Sequence, residues 1–256
     1  MFRKIRIVIL LAILAFVSLY TFTESTYPKK WRDSIQVALY PVNADGSEVS
    51  TAYINALTKD DFEKIEIFFD KQAHEYGLNI DRPFRFTLAA ALQDVPPLIK
   101  EHPTRLDVML WSLKLRWFAW RTPKPAGPMV TIRMFLLFHD PARASQLPDS
   151  TGLQKGLLGI AHLFAARSQA GSNQVVIAHE LLHTLGATDK YDLADNQPLY
   201  PVGYAEPDKQ PRYPQEMAEL MAGRIPLSTS HAEQADSLRD VVIGGLTARE
   251  INWIKP

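Results

Sequence analysis

The chain has 256 residues, 46% hydrophobic and 22% charged, a balance that suits one globular domain of ordinary composition. Its 28 Lys and Arg match its 28 Asp and Glu, so no overall basic field points to nucleic acid. Cysteine is absent, which excludes disulfides, thiolate metal sites and cysteine nucleophiles.

Arg3, Lys4 and Arg6 precede an apolar run from Ile7 to Tyr20, the pattern of a secretory signal or an uncleaved signal anchor. Thr21 and Thr23 make a mediocre cleavage pair, so residues 1–23 read as a membrane anchor in preference to a cleaved signal. The positive-inside rule then places the rest of the chain outside the cytoplasm, tethered to the membrane, or secreted or periplasmic if the segment is removed. Residues 24–34 read as a polar linker, and residues 35–256 as the remaining domain.

Ile35 to Val42 is β-rich and alternating, a first strand, followed by turn residues at 43–47. Thr58, with Asp61 three residues on, is expected to cap a helix striped by Phe62, Ile65, Phe69 and Ala73 and stopped at Gly77. Phe84 to Ala90 reads as a second strand. Residues 104–120 form an aromatic helix with Trp111, Trp117, Phe118 and Trp120, suited to covering a sheet or to contact with a cleft or membrane surface. Val130 to Phe138 is the strongest strand signal, long and apolar enough to lie centrally in a sheet, and Leu157 to Ala165 reads as another strand. Residues 190–216, rich in Pro and Tyr, read as a long ordered loop. Thr247 and Glu250 form a capping box opening a short terminal helix.

Between those last strands and loops lies Asn173 to Asp192, which carries His-Glu-x-x-His as His179, Glu180 and His183. On a helix the two histidines sit one turn apart on one face, where two imidazoles can share one divalent ion. Glu180 is placed for general-base work on a water at that ion. Val175, Ala178, Leu181, Leu182 and Leu185 give the helix its core-facing sides. Gly186 is a natural C-terminal cap, and the turn it permits would return Asp189 as a third ligand. A carboxylate from further on, Glu216 or Glu219, is the competing third ligand, with Asp192 and Glu206 as outsiders.

His179-Glu180-x-x-His183-x-x-Gly186-x-x-Asp189 resembles the long zinc-binding signature of the metzincin metallopeptidases, in the variant where Asp replaces the third His, as in snapalysin-type enzymes. Asp189-Lys190-Tyr191-Asp192 is also similar to the immune inhibitor A group. The resemblance implies an α+β zincin domain: a twisted mixed sheet with an edge strand over the cleft, an active-site helix, and an irregular C-terminal half ending in a short helix. On that pattern Leu157–Ala165 would be the edge strand, and Met221, or else Met217, the methionine of the turn beneath the metal. The family's tyrosine two positions after the methionine is missing, since Gly223 stands there.

The implied activity is zinc-dependent endopeptidase hydrolysis of a peptide or protein substrate. His179, His183 and Asp189 would hold Zn2+, with Glu180 as catalytic base. Tyr191, Tyr200, Tyr204 and Tyr213 are all available as oxyanion donors. The rival functions are a non-catalytic zinc-binding scaffold and a zinc hydrolase of non-peptide amides. Of the other histidines, His74, His102, His139, His162 and His231, only His162 falls on a strand next to the motif.

Overall fold

The apolar run expected to be central is central. Ile132–His139 forms strand β3, flanked by β1 (Ile35–Asn43) and β5 (Leu158–Phe164). β2 (Phe84–Leu88) lies beyond β1 and β4 (Thr151–Leu153) beyond β5, giving the order β2-β1-β3-β5-β4. The first four are parallel, in registers such as Leu39 with Met134 and Leu136 with Ala161, while β4 runs antiparallel to β5. The molecule is thus a mixed sheet with helices, compatible with an α+β class. Parallel strands covered on both faces bury successive residues, which explains why β1, β3 and β5 read as near-continuous apolar runs.

The computed structural model describes residues 28–254 except Glu101 and Lys155, together with Arg6 and Leu11. The expected anchor at 1–23, those two residues aside, and the start of the linker lie outside the described residues. Among the described residues, no helix is long and apolar enough to cross a membrane.

Helix α1 (Glu48–Asn55), absent from the sequence reading, follows the 43–47 turn. Its N-cap is Ser47, whose hydroxyl accepts the Ser50 N–H at 3.0 Å. Thr58 and Asp61 form the expected capping box, but the first turn, Lys59–Phe62, is 3-10 and only then becomes α2 (Glu63–Glu75). Gly77 ends it at φ +72. α3 (Arg105–Arg121) is capped by Thr104, which accepts the Asp107 N–H. α4 (Ala170–Thr184) carries the histidine motif.

One apolar core joins α2 and α4 to one face of the sheet, including Ile65, Phe69, Leu39, Met134, Leu181 and Leu182. A second, on the opposite face, packs Trp111, Leu115 and Ala119 of α3 against Ala38, Tyr40 and Phe135. The C-terminal part is built of short pieces. β6 (Ala218–Glu219) pairs with β9 (Val241–Val242), and β7 (Arg224–Pro226) with β8 (Ala232–Gln234).

Two expectations are corrected. The strand at 157–165 is not the sheet edge, because β5 is hydrogen-bonded on both sides; the edge is β4, three residues too few to show a periodicity. The terminal helix, α5 (Gly245–Glu250), is capped by Gly244 and not by Thr247. Thr247 and Glu250 have other partners: the Thr247 hydroxyl donates to Glu219, and the Glu250 carboxylate accepts from Thr188 and Lys190.

Candidate metal centre

α4 buries Val175, Ala178, Leu181 and Leu182 as its apolar spacing requires, which leaves His179 and His183 on its half-buried side. Asn173 ties the helix to the end of β5, accepting the Phe164 N–H at 3.0 Å and donating to its carbonyl at 2.8 Å. At the other end Gly186 has φ +87. Its N–H donates to the His183 carbonyl and the Ala187 N–H to the Leu182 carbonyl, the paired bonds of a Schellman cap.

That cap also orients a ring: His183 Nδ1 lies 2.8 Å from the Ala187 carbonyl oxygen. His179 Nδ1 lies 3.0 Å from the Leu220 carbonyl oxygen. A carbonyl accepts only, so each Nδ1 carries the hydrogen and each Nε2 presents a lone pair. The two Nε2 atoms stand 2.9 Å apart, and Asp189 Oδ1 lies 3.2 and 3.1 Å from them. Three acceptors facing one another repel unless a positive charge sits among them. A tetrahedral site with bonds of about 2.0–2.1 Å holds its ligand atoms about 3.3 Å apart, close to what is found. These side chains fit a metal ion.

Glu180 stands beside them. His179, Glu180 and His183 offer ligand atoms all within 4.8 Å of one another, a group that could hold a metal ion though one not specific to zinc. Asp189 makes the tighter convergence with the imidazoles, and Glu180 Oε2 is buried without a hydrogen-bond partner. Burial pushes the Glu180 carboxyl above its ordinary range, against the pull of the two imidazoles. For Asp189 burial works upward too, but the histidine rings outweigh it and hold the carboxyl far below its usual value. Burial lowers His179, yet Asp189, Glu180 and the Leu220 carbonyl raise it to about 9.

The alternative third ligands are engaged elsewhere. The Glu219 carboxylate is fully buried and accepts from the Ala222 N–H, the Gly244 N–H and the Thr247 hydroxyl. Glu216 pairs with Lys209 at 3.0 Å, Glu206 accepts the Glu216 N–H, and Asp192 accepts the Ala194 N–H. Between the two methionines the geometry favours Met221. It is fully buried, its carbonyl accepts the Lys190 N–H, and the preceding carbonyl is the one that holds His179.

The return of the chain at Asp189 is braced in a way no spacing announced. The Lys190 ammonium, almost wholly buried, donates to the Thr188 carbonyl and hydroxyl and to Glu250 at 2.7–2.8 Å. Glu250 in turn accepts the Thr188 N–H and hydroxyl. A buried lysine and a glutamate sixty positions on give no local pattern to read.

A cleft of about 600 Å³ opens on His179 and Glu180, bounded by the 145–150 loop, His162, Tyr191 and Arg224. Tyr191 is the one candidate tyrosine on its wall, kept protonated up to about 12 by burial and by Asp189 and Glu180. Tyr204 and Tyr213 bond to each other, and Tyr200 lies under Arg212. His162 lines the cleft but turns its Nδ1 to His139 Nε2 at 2.9 Å; burial and that neighbour hold it down to about 4. His74, His102 and His231 are exposed, away from the site. The sequence matches no protein-family model and no curated protein.

Proposed function

We propose that the chain is a metal-dependent peptide hydrolase of metzincin type, with His179, His183 and Asp189 as ligands, zinc as the metal and Glu180 as general base. The observation that carries this reading is the convergence of two Nε2 lone pairs and Asp189 Oδ1 within 3.2 Å, beside a buried carboxylate oxygen with no partner. A bound divalent ion would supply a Lewis acid that brings a water's pKa near 7 and polarises a carbonyl.

The chain's own residues supply the rest. Glu180, its carboxyl raised by burial, takes a proton at Oε2 from the attacking water and returns it to the leaving amine. The Leu220 and Ala187 carbonyls keep both imidazoles in the tautomer that leaves Nε2 free. Tyr191, protonated at neutral pH on the cleft wall, can donate to a developing oxyanion. The outer side of β4 is an unpaired strand edge against α4, where an extended substrate would add by main-chain hydrogen bonds. A scaffold with a purely structural metal has no need of a buried, unpartnered carboxylate at that place, and this favours an enzyme.

The test separates metal from chemistry. Glu180→Gln should retain its metal and lose at least ~100-fold in peptide turnover. Asp189→Ala should lose metal affinity and activity together. Retained turnover in Glu180→Gln sinks the reading.

A further inference from the structure

Helix α3 carries two apolar faces separated by charged residues, and only one of them is covered. Trp111, Leu115 and Ala119 face the sheet. Leu106, Met109, Leu110, Leu113, Trp117 and Trp120 are exposed, Trp117 by 59% and Trp120 by 72%. At about 100° per residue these six fall within an arc of about 100°, a continuous stripe along the helix. The two tryptophans stack at its C-terminal end, centroids 5.0 Å apart. A patch of this kind on a folded surface marks something that covers it.

The charges show what. Arg105 borders the stripe on one side, and Lys114 and Arg121 on the other, with Lys124 just beyond the helix. Asp107 is the only acid of α3, in a chain whose formal charge is zero. Apolar residues bordered on both sides by basic stems, with tryptophans at one end, match the boundary of acyl chains and anionic headgroups. Seventeen residues interrupted by five charges do not span a bilayer, but they can lie in its surface. We propose that this face of α3 docks onto an anionic lipid surface, so that the domain rests on the membrane through a contact separate from the metal cleft. The apolar run at 7–20, itself preceded by basic residues, is a second and independent feature suited to a bilayer.

The experiment uses the full chain with vesicles of phosphatidylcholine, with or without phosphatidylglycerol, brominated on their acyl chains. Trp31, Trp111 and Trp253 are buried, so contact quenching reports Trp117 and Trp120 even when the N-terminal run is inserted in every sample. Strong quenching is expected on the anionic vesicles and should vanish in Trp117→Phe/Trp120→Phe. Lys114→Glu/Arg121→Glu should lower the docked-to-free ratio by more than about tenfold, two attractive charges having become repulsive. Circular dichroism and thermal unfolding check that each variant folds. Quenching no greater than that of the double Phe variant overturns the proposal, as does equal quenching on neutral vesicles. A Trp117 and Trp120 contribution, taken as the difference from the double Phe variant, that is already blue-shifted without vesicles overturns it too. With a dimer's mass it assigns the face to a second copy, and with a monomer's mass to another segment of this chain.

Discussion

At the scale of single residues, two buried glutamates near the candidate site differ in how their carboxylates are satisfied. Glu219 is fully buried and has three donors on its carboxylate; Glu180 lines the cleft, and its buried Oε2 has no partner. A satisfied buried carboxylate stabilises, whereas an unsatisfied one costs stability and is kept for what it can accept. Glu219→Gln places an amide where an acceptor is required and should lower stability by about 1–3 kcal/mol. Its metal content should be unchanged at temperatures where it stays folded. Thermal unfolding with metal analysis checks this, and metal loss from a folded Glu219→Gln protein would bring Glu219 back as a ligand. The histidine spacing and Glu180 were legible in the sequence because a helix brings residues four apart to one face. The Gly186 turn also pointed to Asp189, but what holds Glu219 away was not legible, because that depends on where Gly244 and Thr247 donate.

At the scale of elements, the site depends on how closely β4 meets α4. A Cβ at Gly152 would collide with His183 Cβ and the Glu180 carbonyl, so glycine is required by close approach and not by its φ. Gly152→Ala should push the edge strand off the helix, costing about 1–3 kcal/mol and lowering peptide turnover. Gly245→Ala, where an added Cβ meets nothing within 4 Å, is the control and should be near neutral. Unfolding curves and a peptide-cleavage assay on both variants decide it. Equal behaviour would mean that β4 is not held against the motif helix. The long strands and α2 to α4 could be read in advance, since each is long enough to show its period. β4 and α1 are too short for that, and one residue of slip in a three-residue strand leaves no pattern to detect.

At the scale of the whole molecule, the C-terminal helix reaches back to hold the turn that carries Asp189. Glu250 on α5 clasps Thr188 and the buried Lys190, on either side of Asp189. Burial works to raise Glu250, but Lys190 and Thr188 hold its carboxyl below the ordinary 4.5. A depressed acid contributes stability that is full above its unfolded value and is lost as pH falls through its folded value. The stability of the metal-free chain should therefore drop below about pH 4.5 by more than in Glu250→Gln, which lacks that titration. The same variant should also bind metal roughly tenfold more weakly, because the turn carrying Asp189 loses its brace. Unfolding at several pH values and a metal titration test both. An unaltered affinity would show that Gly186 alone sets the turn.

From the sequence alone came what local geometry dictates: the motif helix with its two imidazoles and neighbouring glutamate, its glycine stop, and the apolar strands of a covered sheet. These follow from the periods of helix and strand and from glycine's access to positive φ. Tertiary structure alone decided which strand is the edge, what engages the competing carboxylates, and what fixes the imidazole tautomers. Each of those depends on a carbonyl, a donor or a buried charge arriving from a distant part of the chain. Contacts such as Leu220 with His179, or Glu250 with Lys190, have no period in the sequence and exist only once the core has brought their elements together.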